Sequence, residues 1–224
     1  MGHSIRYCVF DVLGTLFPWK ESFRFLHLLG RLGLESRLPD EELRRLFSSR
    51  IEEIFASKEG FWRFIAEAYR VDLGEVPEVV RRFDELLLGE ATPHPKAEAI
   101  LSELSGRYSL LLCSDTTGST KNMVERAGLS KYFLGVFYSN DYRLTKAKGL
   151  YEAVLRAYRP AAPSEFVSIG DSANSDVEVP KKLGMRAIWV KNEALGLPSV
   201  EPDATVEDLG EVVRAVSILD PGTR

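Results

Sequence analysis

The 224 residues carry 33 Asp and Glu against 29 Lys and Arg, a net charge of −4, and 45% of them are hydrophobic. That length suits one α/β domain with an insertion, with core enough to fold without metal or disulfide staples. The acidic balance excludes the basic footprint that grips nucleic-acid phosphates, no apolar run approaches the roughly 20 residues of a membrane span, and the start of the chain does not read as a signal peptide, so a cytoplasmic protein is expected.

In chain order, residues 5–10 form a short β-rich run that ends in Asp11 and a Gly14-Thr15 loop. Four helical patterns follow, at 22–34, 39–56, 60–71 and 76–88, with apolar residues at three- and four-residue spacings. Asp40 and Pro77 make suitable helix starts. The aromatic residues Trp19, Phe23, Phe61, Trp62 and Phe64 fall at helical spacing and read as core, with Trp19 the one placed to reach a site. After ATPHP at 91–95, where His94 reads as a turn residue, the period alternates: helices at 96–106, 120–129, 147–158 and 177–184, strands at 107–114, 133–139, 165–172 and 186–192. Near-continuous apolar strands alternating with helices specify a parallel sheet covered on both faces. The expected fold is therefore an α/β, Rossmannoid three-layer core (1–17 and 93–224) with an inserted α-helical cap (18–92). The Pro-rich stretch 195–204 is the one segment that reads as a linker.

Cys8 and Cys113 are too few for a disulfide scaffold and read as small buried hydrophobes on strands. There is no Gln, and Asn occurs only at 122, 140, 174 and 192. This thermolabile-poor balance is that of a thermophile protein, in which a Cys8–Cys113 disulfide would be permitted inside the cell.

In an open parallel sheet the ligand site lies beyond the carboxyl ends of the strands. Each strand here ends in polar groups: Asp11, then Ser114 and Asp115, then Ser139, Asn140 and Asp141, then Asp171, Ser172 and Asp176. Carboxylates gathered on one edge repel one another in a low dielectric and call for a divalent cation or a lysine. Lys146 and Lys148 are the candidate lysines, Lys146 the preferred one.

Four ordered segments, D-x-x-G-T-L from Asp11 to Leu16, Ser114 after a strand, Lys146 before a helix and G-D-S-x-x-x-D from Gly170 to Asp176, resemble the motifs of the haloacid dehalogenase superfamily. The resemblance implies nucleophilic catalysis by Asp11. It implies oxygen-holding roles for Thr15, the Gly14 turn and Ser114, charge compensation by Lys146, and a pocket place for Asp115. Mg²⁺ would be held by Asp11, the Leu13 carbonyl and Asp171, supported by Asp176.

One position departs from the pattern. Phosphatases of the superfamily carry a second Asp two residues after the nucleophile as general acid, and here that position is Leu13. Loss of such an acid is worth about 10²–10⁴-fold, so leaving groups that need no proton are favoured. Haloacid dehalogenases, which eject halide without metal, also carry an apolar residue there and receive the halide on an arginine from the cap; Arg44, Arg45 and Arg50 are candidates. Asp171, however, keeps the metal carboxylate of the phosphotransferases. The preferred expectation is Mg²⁺-dependent hydrolysis of a small phosphorylated metabolite; the alternatives are metal-free dehalogenation and a non-catalytic binding module. Oligomeric state is left open by the sequence.

Overall fold

The computed structural model describes residues 4–20 and 24–220; Phe23 and His3 lie outside them. Strands β1 (Tyr7–Phe10), β2 (Ser109–Ser114), β3 (Phe133–Tyr138), β4 (Phe166–Gly170), β5 (Arg186–Val190) and β6 (Ala204–Val206) form one sheet in the order β3-β2-β1-β4-β5-β6. All five pairings are parallel. Strand order reverses between β1 and β4, and this is where an open α/β sheet opens a crevice.

Helices α1 (Phe25–Arg31), α2 (Asp40–Ala56), α3 (Lys58–Ala68) and α4 (Val76–Glu90) stand between β1 and β2. Three acids in its first turn suit the start of α2, and Pro77 sits in the first turn of α4. The bend between α2 and α3 is tight: the Ser57 hydroxyl accepts the Gly60 amide at 3.0 Å, and a Cβ on Gly60 would lie 2.0 Å from the Glu53 carbonyl oxygen. The remaining helices are α5 (Ala97–Ser105), α6 (Ser119–Arg126), α7 (Ser139–Tyr142), α8 (Leu150–Ala157), α9 (Val179–Lys182) and α10 (Val212–Leu219).

Alternate strand residues face opposite layers. Cys8 and Phe10 pack with α5, α6 and α10 and share one apolar cluster with Phe61, Phe64 and Phe83 of the insert. Tyr7, Val9 and Cys113 face α8 instead. Cys8 and Cys113 are thus buried and free, on opposite faces of the sheet, which rules out the disulfide that the composition allowed. Two further expectations change. The proposed linker at 195–204 ends in β6, which pairs with β5 in register from Ile188 and Ala204. Beyond it, α10 packs against the sheet although no helix was expected there. Just after α10, Asp220 accepts the Ile5 amide and the Tyr108 hydroxyl, each at 3.1 Å.

Candidate active site

Parallel pairing of β1 with β4 sets Phe10 beside Ile169, and the Asp11 amide donates to the Ile169 carbonyl at 2.9 Å. Asp11, one residue past Phe10, and Asp171, two residues past Ile169, are thereby delivered to the same sheet edge, their oxygens within 4.8 Å. A turn then closes: Phe17 donates to the Val12 carbonyl at 3.0 Å and Gly14 to the Phe17 carbonyl at 2.7 Å. Gly14 has φ +84°, and a Cβ there would lie 1.8 Å from Asp171 Oδ2, so only glycine fits. Of the turn amides expected to face a substrate oxygen, that of Gly14 itself serves the turn.

After β4 the chain enters a π-helical turn, Ala173–Glu178, capped by the Ser172 hydroxyl, which accepts the Ser175 amide at 3.3 Å. This turn swings Asp176 back under the strand end, against Gly170, where a Cβ would meet its carboxyl carbon at 2.3 Å. Local π geometry of this kind recurs at functional sites.

Lys146, 2% exposed, bridges the two carboxylates: Nζ lies 2.6 Å from Asp11 Oδ1 and 2.6 Å from Asp176 Oδ1. Its own amide donates to Asp115 Oδ1 at 2.9 Å, so Asp115 positions the lysine as well as lining the cavity. Lys148 is exposed, so Lys146 is the candidate that the structure brings to the carboxylates. Asp176 has both oxygens engaged, Oδ1 also with the Tyr151 hydroxyl at 3.1 Å and Oδ2 with the Ser172 amide at 3.1 Å. Asp171 accepts Asn192 Nδ2 at 2.7 Å on its carboxylate and Trp189 Nε1 at 2.9 Å on its carbonyl.

Burial dominates the electrostatics. It pushes Asp171 up to about 8, with the Asp11 and Asp176 charges adding to the rise. Asp11 rises to about 6 for the same first reason, Lys146 opposing, and Asp115 likewise reaches about 6. Burial pulls the Lys146 ammonium down, yet Asp11 and Asp176 outweigh it and hold the group charged. One ammonium against the clustered carboxylates of Asp11, Asp171 and Asp176, whose oxygens lie within 4.8 Å of one another, leaves the site under-compensated. An all-oxygen donor set with surplus negative charge is what a hard divalent cation takes. Asp176 has both oxygens engaged, whereas Asp11 and Asp171 each have one oxygen bonded, to Lys146 and Asn192, which makes that pair the candidate ligands.

Ser114 and Leu13 line the same cavity. Thr15 is 2% exposed, does not line the cavity, and its hydroxyl has no hydrogen-bond partner. Asp141, grouped by sequence with the strand-end carboxylates, sits exposed on α7 and outside this cavity. Its neighbour Ser139 accepts the Thr116 amide at 2.8 Å and donates to the Phe55 carbonyl at 2.5 Å. That bond joins the sheet edge to the end of α2. Two more cross in the same way, Thr145 to Glu52 and Ser119 to Asp84. The insert thereby covers a cavity of about 960 Å³ over the strand ends, lined also by Trp19, Phe25 and Phe47. Phe61 and Phe64 are core as expected, whereas Trp62 is half-buried beside a separate cleft. Of the three candidate arginines only Arg44 lines the cavity; Arg45 pairs with Glu41, and Arg50 with Glu53 and Glu67.

Asn192, Tyr151 and Thr116 escaped the sequence reading. Asn192 follows a strand, and its strand-end position was the available signal; Tyr151 is hidden within a regular helical pattern.

Asp11 and Asp171 thus stand on adjacent strand ends, a buried lysine bridges Asp11 to Asp176, and helices inserted after the first strand roof them, an arrangement that fits a hydrolase. A family profile described as haloacid dehalogenase-like hydrolase matches residues 5–184, and the chain belongs to that family. Phosphoserine phosphatase of Thermus thermophilus is 32% identical over 158 residues, spanning 66% of this chain and 61% of that protein. Among solved structures, a CbbY variant from Rhodobacter sphaeroides in complex with xylulose-1,5-bisphosphate superimposes with a TM-score of 0.68 at 20% identity, covering 95% of this chain and 99% of that one. L-2-haloacid dehalogenase from Xanthobacter autotrophicus, with chloropropionic acid covalently bound, gives 0.64 at 17% identity over 95% and 98%. These likenesses establish the fold. No helix among the described residues is long and apolar enough to cross a membrane.

Proposed function

We propose that the protein is a Mg²⁺-dependent phosphohydrolase that uses Asp11 as nucleophile on a small phosphorylated metabolite in the cytoplasm. The observation that carries this is the Asp11–Asp171 pair, two adjacent buried carboxylates of which Asp11 alone is bonded to the Lys146 ammonium. A dehalogenase has no need of the second carboxylate, and its cost without a cation would be large. The similarity to a phosphoserine phosphatase supports the same choice.

In this reading residues 18–92 are a cap domain over a core made of 1–17 and 93–224. An Asp11 oxygen attacks phosphorus and the ester oxygen leaves with its bonding electrons; water then attacks phosphorus of the aspartyl phosphate, releasing phosphate and restoring Asp11. Lys146 holds the Asp11 carboxylate ionised and oriented, and Ser114 donates to a phosphoryl oxygen. Asp171, Asp11 and the Leu13 carbonyl would hold Mg²⁺, which when bound neutralises phosphoryl charge. Asp176 fixes Lys146, and the fold around Gly14 keeps Asp171 within reach. Leu13 gives the leaving group no proton, so esters of acidic alcohols react best.

The cavity wall around Leu13 and the position of Arg44 favour dehalogenation as a second reading. Para-nitrophenyl phosphate and 2-chloropropionate, each with Mg²⁺ and with chelator, decide between them. Mg²⁺-dependent phosphate release supports the first; chloride release that survives chelation replaces it with the second.

A further inference from the structure

The roof of the cavity differs in character from its floor. Below lie Asp11, Ser114, Asp115 and Asp171; above, Phe25, Phe47, Ile51 and Phe55 present hydrocarbon from α1 and α2. Phe25 stacks on Phe47 at 5.0 Å and meets Phe55 edge-on at 5.8 Å, so the wall is a packed aromatic surface. The hydrogen bonds from Ser139, Thr145 and Ser119 hold the insert over the strand ends, and the cavity of about 960 Å³ beneath it opens to solvent beside Arg24, His27, Arg44 and Ile51. It lies near the top of the range that ligand pockets occupy, roughly 300–1,000 Å³, far beyond what a phosphate fills.

We propose that the substrate is the phosphate ester of a bulky aromatic alcohol, of bicyclic size, with phosphate on the carboxylate floor and the ring system against the α1–α2 wall. This rests on the phosphoryl reading above. Two separate features select the class. Leu13 supplies no proton, so the alcohol must depart as a stable aryloxide and take its proton from bulk water, the P–O bond electrons staying on the aryl oxygen. Among the described residues, the wall in turn offers a charged leaving group no buried charged partner: Arg24, His27, Asp40 and Arg44 are exposed, and Lys146 is held by Asp11 and Asp176. A carboxylate or ammonium carried into the wall would lose hydration without an opposite charge to offset it.

Phenyl phosphate and 2-naphthyl phosphate, whose leaving groups are similarly acidic, separate the wall from the chemistry. With Mg²⁺, the second ring lowers KM by roughly 5–10-fold at similar kcat, as expected for one more ring surface removed from water. Ile51→Asp, at a side chain already 41% exposed and so safe for folding, erases that difference. Calorimetry with 2-naphthol, which has no phosphate, shows binding in the wild type and loses it in Ile51→Asp. Equal KM values with no naphthol heat overturn the proposal while phenyl phosphate turnover leaves the phosphohydrolase reading standing. Naphthol binding without Mg²⁺-dependent turnover of either ester overturns that reading, and the proposal with it.

Discussion

The backbone of Gly14 passes so near the Asp171 carboxylate that a single methyl group would sit 1.8 Å from Oδ2. The first-motif loop and the fourth-motif acid thus share one space. Gly14→Ala therefore has to move one of them, besides paying a left-handed backbone penalty of about 1 kcal/mol. Calorimetric Mg²⁺ affinity should fall at least tenfold while the melting temperature drops only a few degrees. Unchanged affinity would separate Asp171 from the metal.

Removing the buried ammonium leaves Asp11 and Asp176 facing each other without a cation. Lys146→Met should cost about 3–5 kcal/mol of stability, the range for breaking a buried pair by deleting one partner, and abolish turnover. Lys148→Met, at an exposed residue, should stay within about 0.5 kcal/mol. Urea titration of both variants is the check, and equal effects would reject the assignment of Lys146.

The raised carboxylates set a pH dependence whose sign is opposite to that of an ordinary salt-bridged acid. With Asp171 at about 8 and Asp11 and Asp115 at about 6, the folded protein binds more protons than the unfolded chain above pH about 4. Stability in chelator should therefore fall as pH rises from about 4 to 8. Mg²⁺, which binds only the folded state, should flatten the decline. Melting temperatures across that window with and without the ion test this; a rise toward pH 8 in chelator contradicts it.

Leu13→Asp restores a proton donor at the position that lacks one. Hydrolysis of alkyl phosphates should increase relative to aryl phosphates, by up to about 10²–10⁴-fold in the ratio of the two rates. A flat ratio would mean that Leu13 is not where the leaving group departs.

Three hydrogen bonds couple the insert to the loops carrying Ser114, Asp115 and Lys146. The two chain crossings are themselves tied by His94 donating to the Leu16 carbonyl at 2.8 Å. Hydrogen exchange with a phosphate analogue should show protection across α2, α4 and the crossings at 16–20 and 91–95. Ser139→Ala should raise exchange at the end of α2 without analogue. Uniform exchange in both would remove closure from the mechanism.

How much of this was legible in the sequence follows from what periodicity records. β1, β2 and β4 are buried on both faces and read as unbroken apolar runs, so Asp11, Ser114 and Asp171 could be placed at strand ends. Lys146 could be preferred but not separated firmly from Lys148, because two lysines two residues apart look alike until Asp115 fixes the Lys146 amide. β6 is only three residues long, too short to leave an alternation, and it hid behind a Pro-rich stretch. Asn192 acts through a contact with Asp171, 21 residues away in sequence, which no local pattern encodes.

Trp189 lies 5% exposed in β5 and donates its indole N–H to the carbonyl of Asp171. The chromophore is therefore hydrogen-bonded to the residue that, in the proposed function, would take the cation. With only two other tryptophans in the chain, Trp19→Phe and Trp62→Phe would leave an unlabelled protein whose emission follows occupancy of its own catalytic crevice in real time.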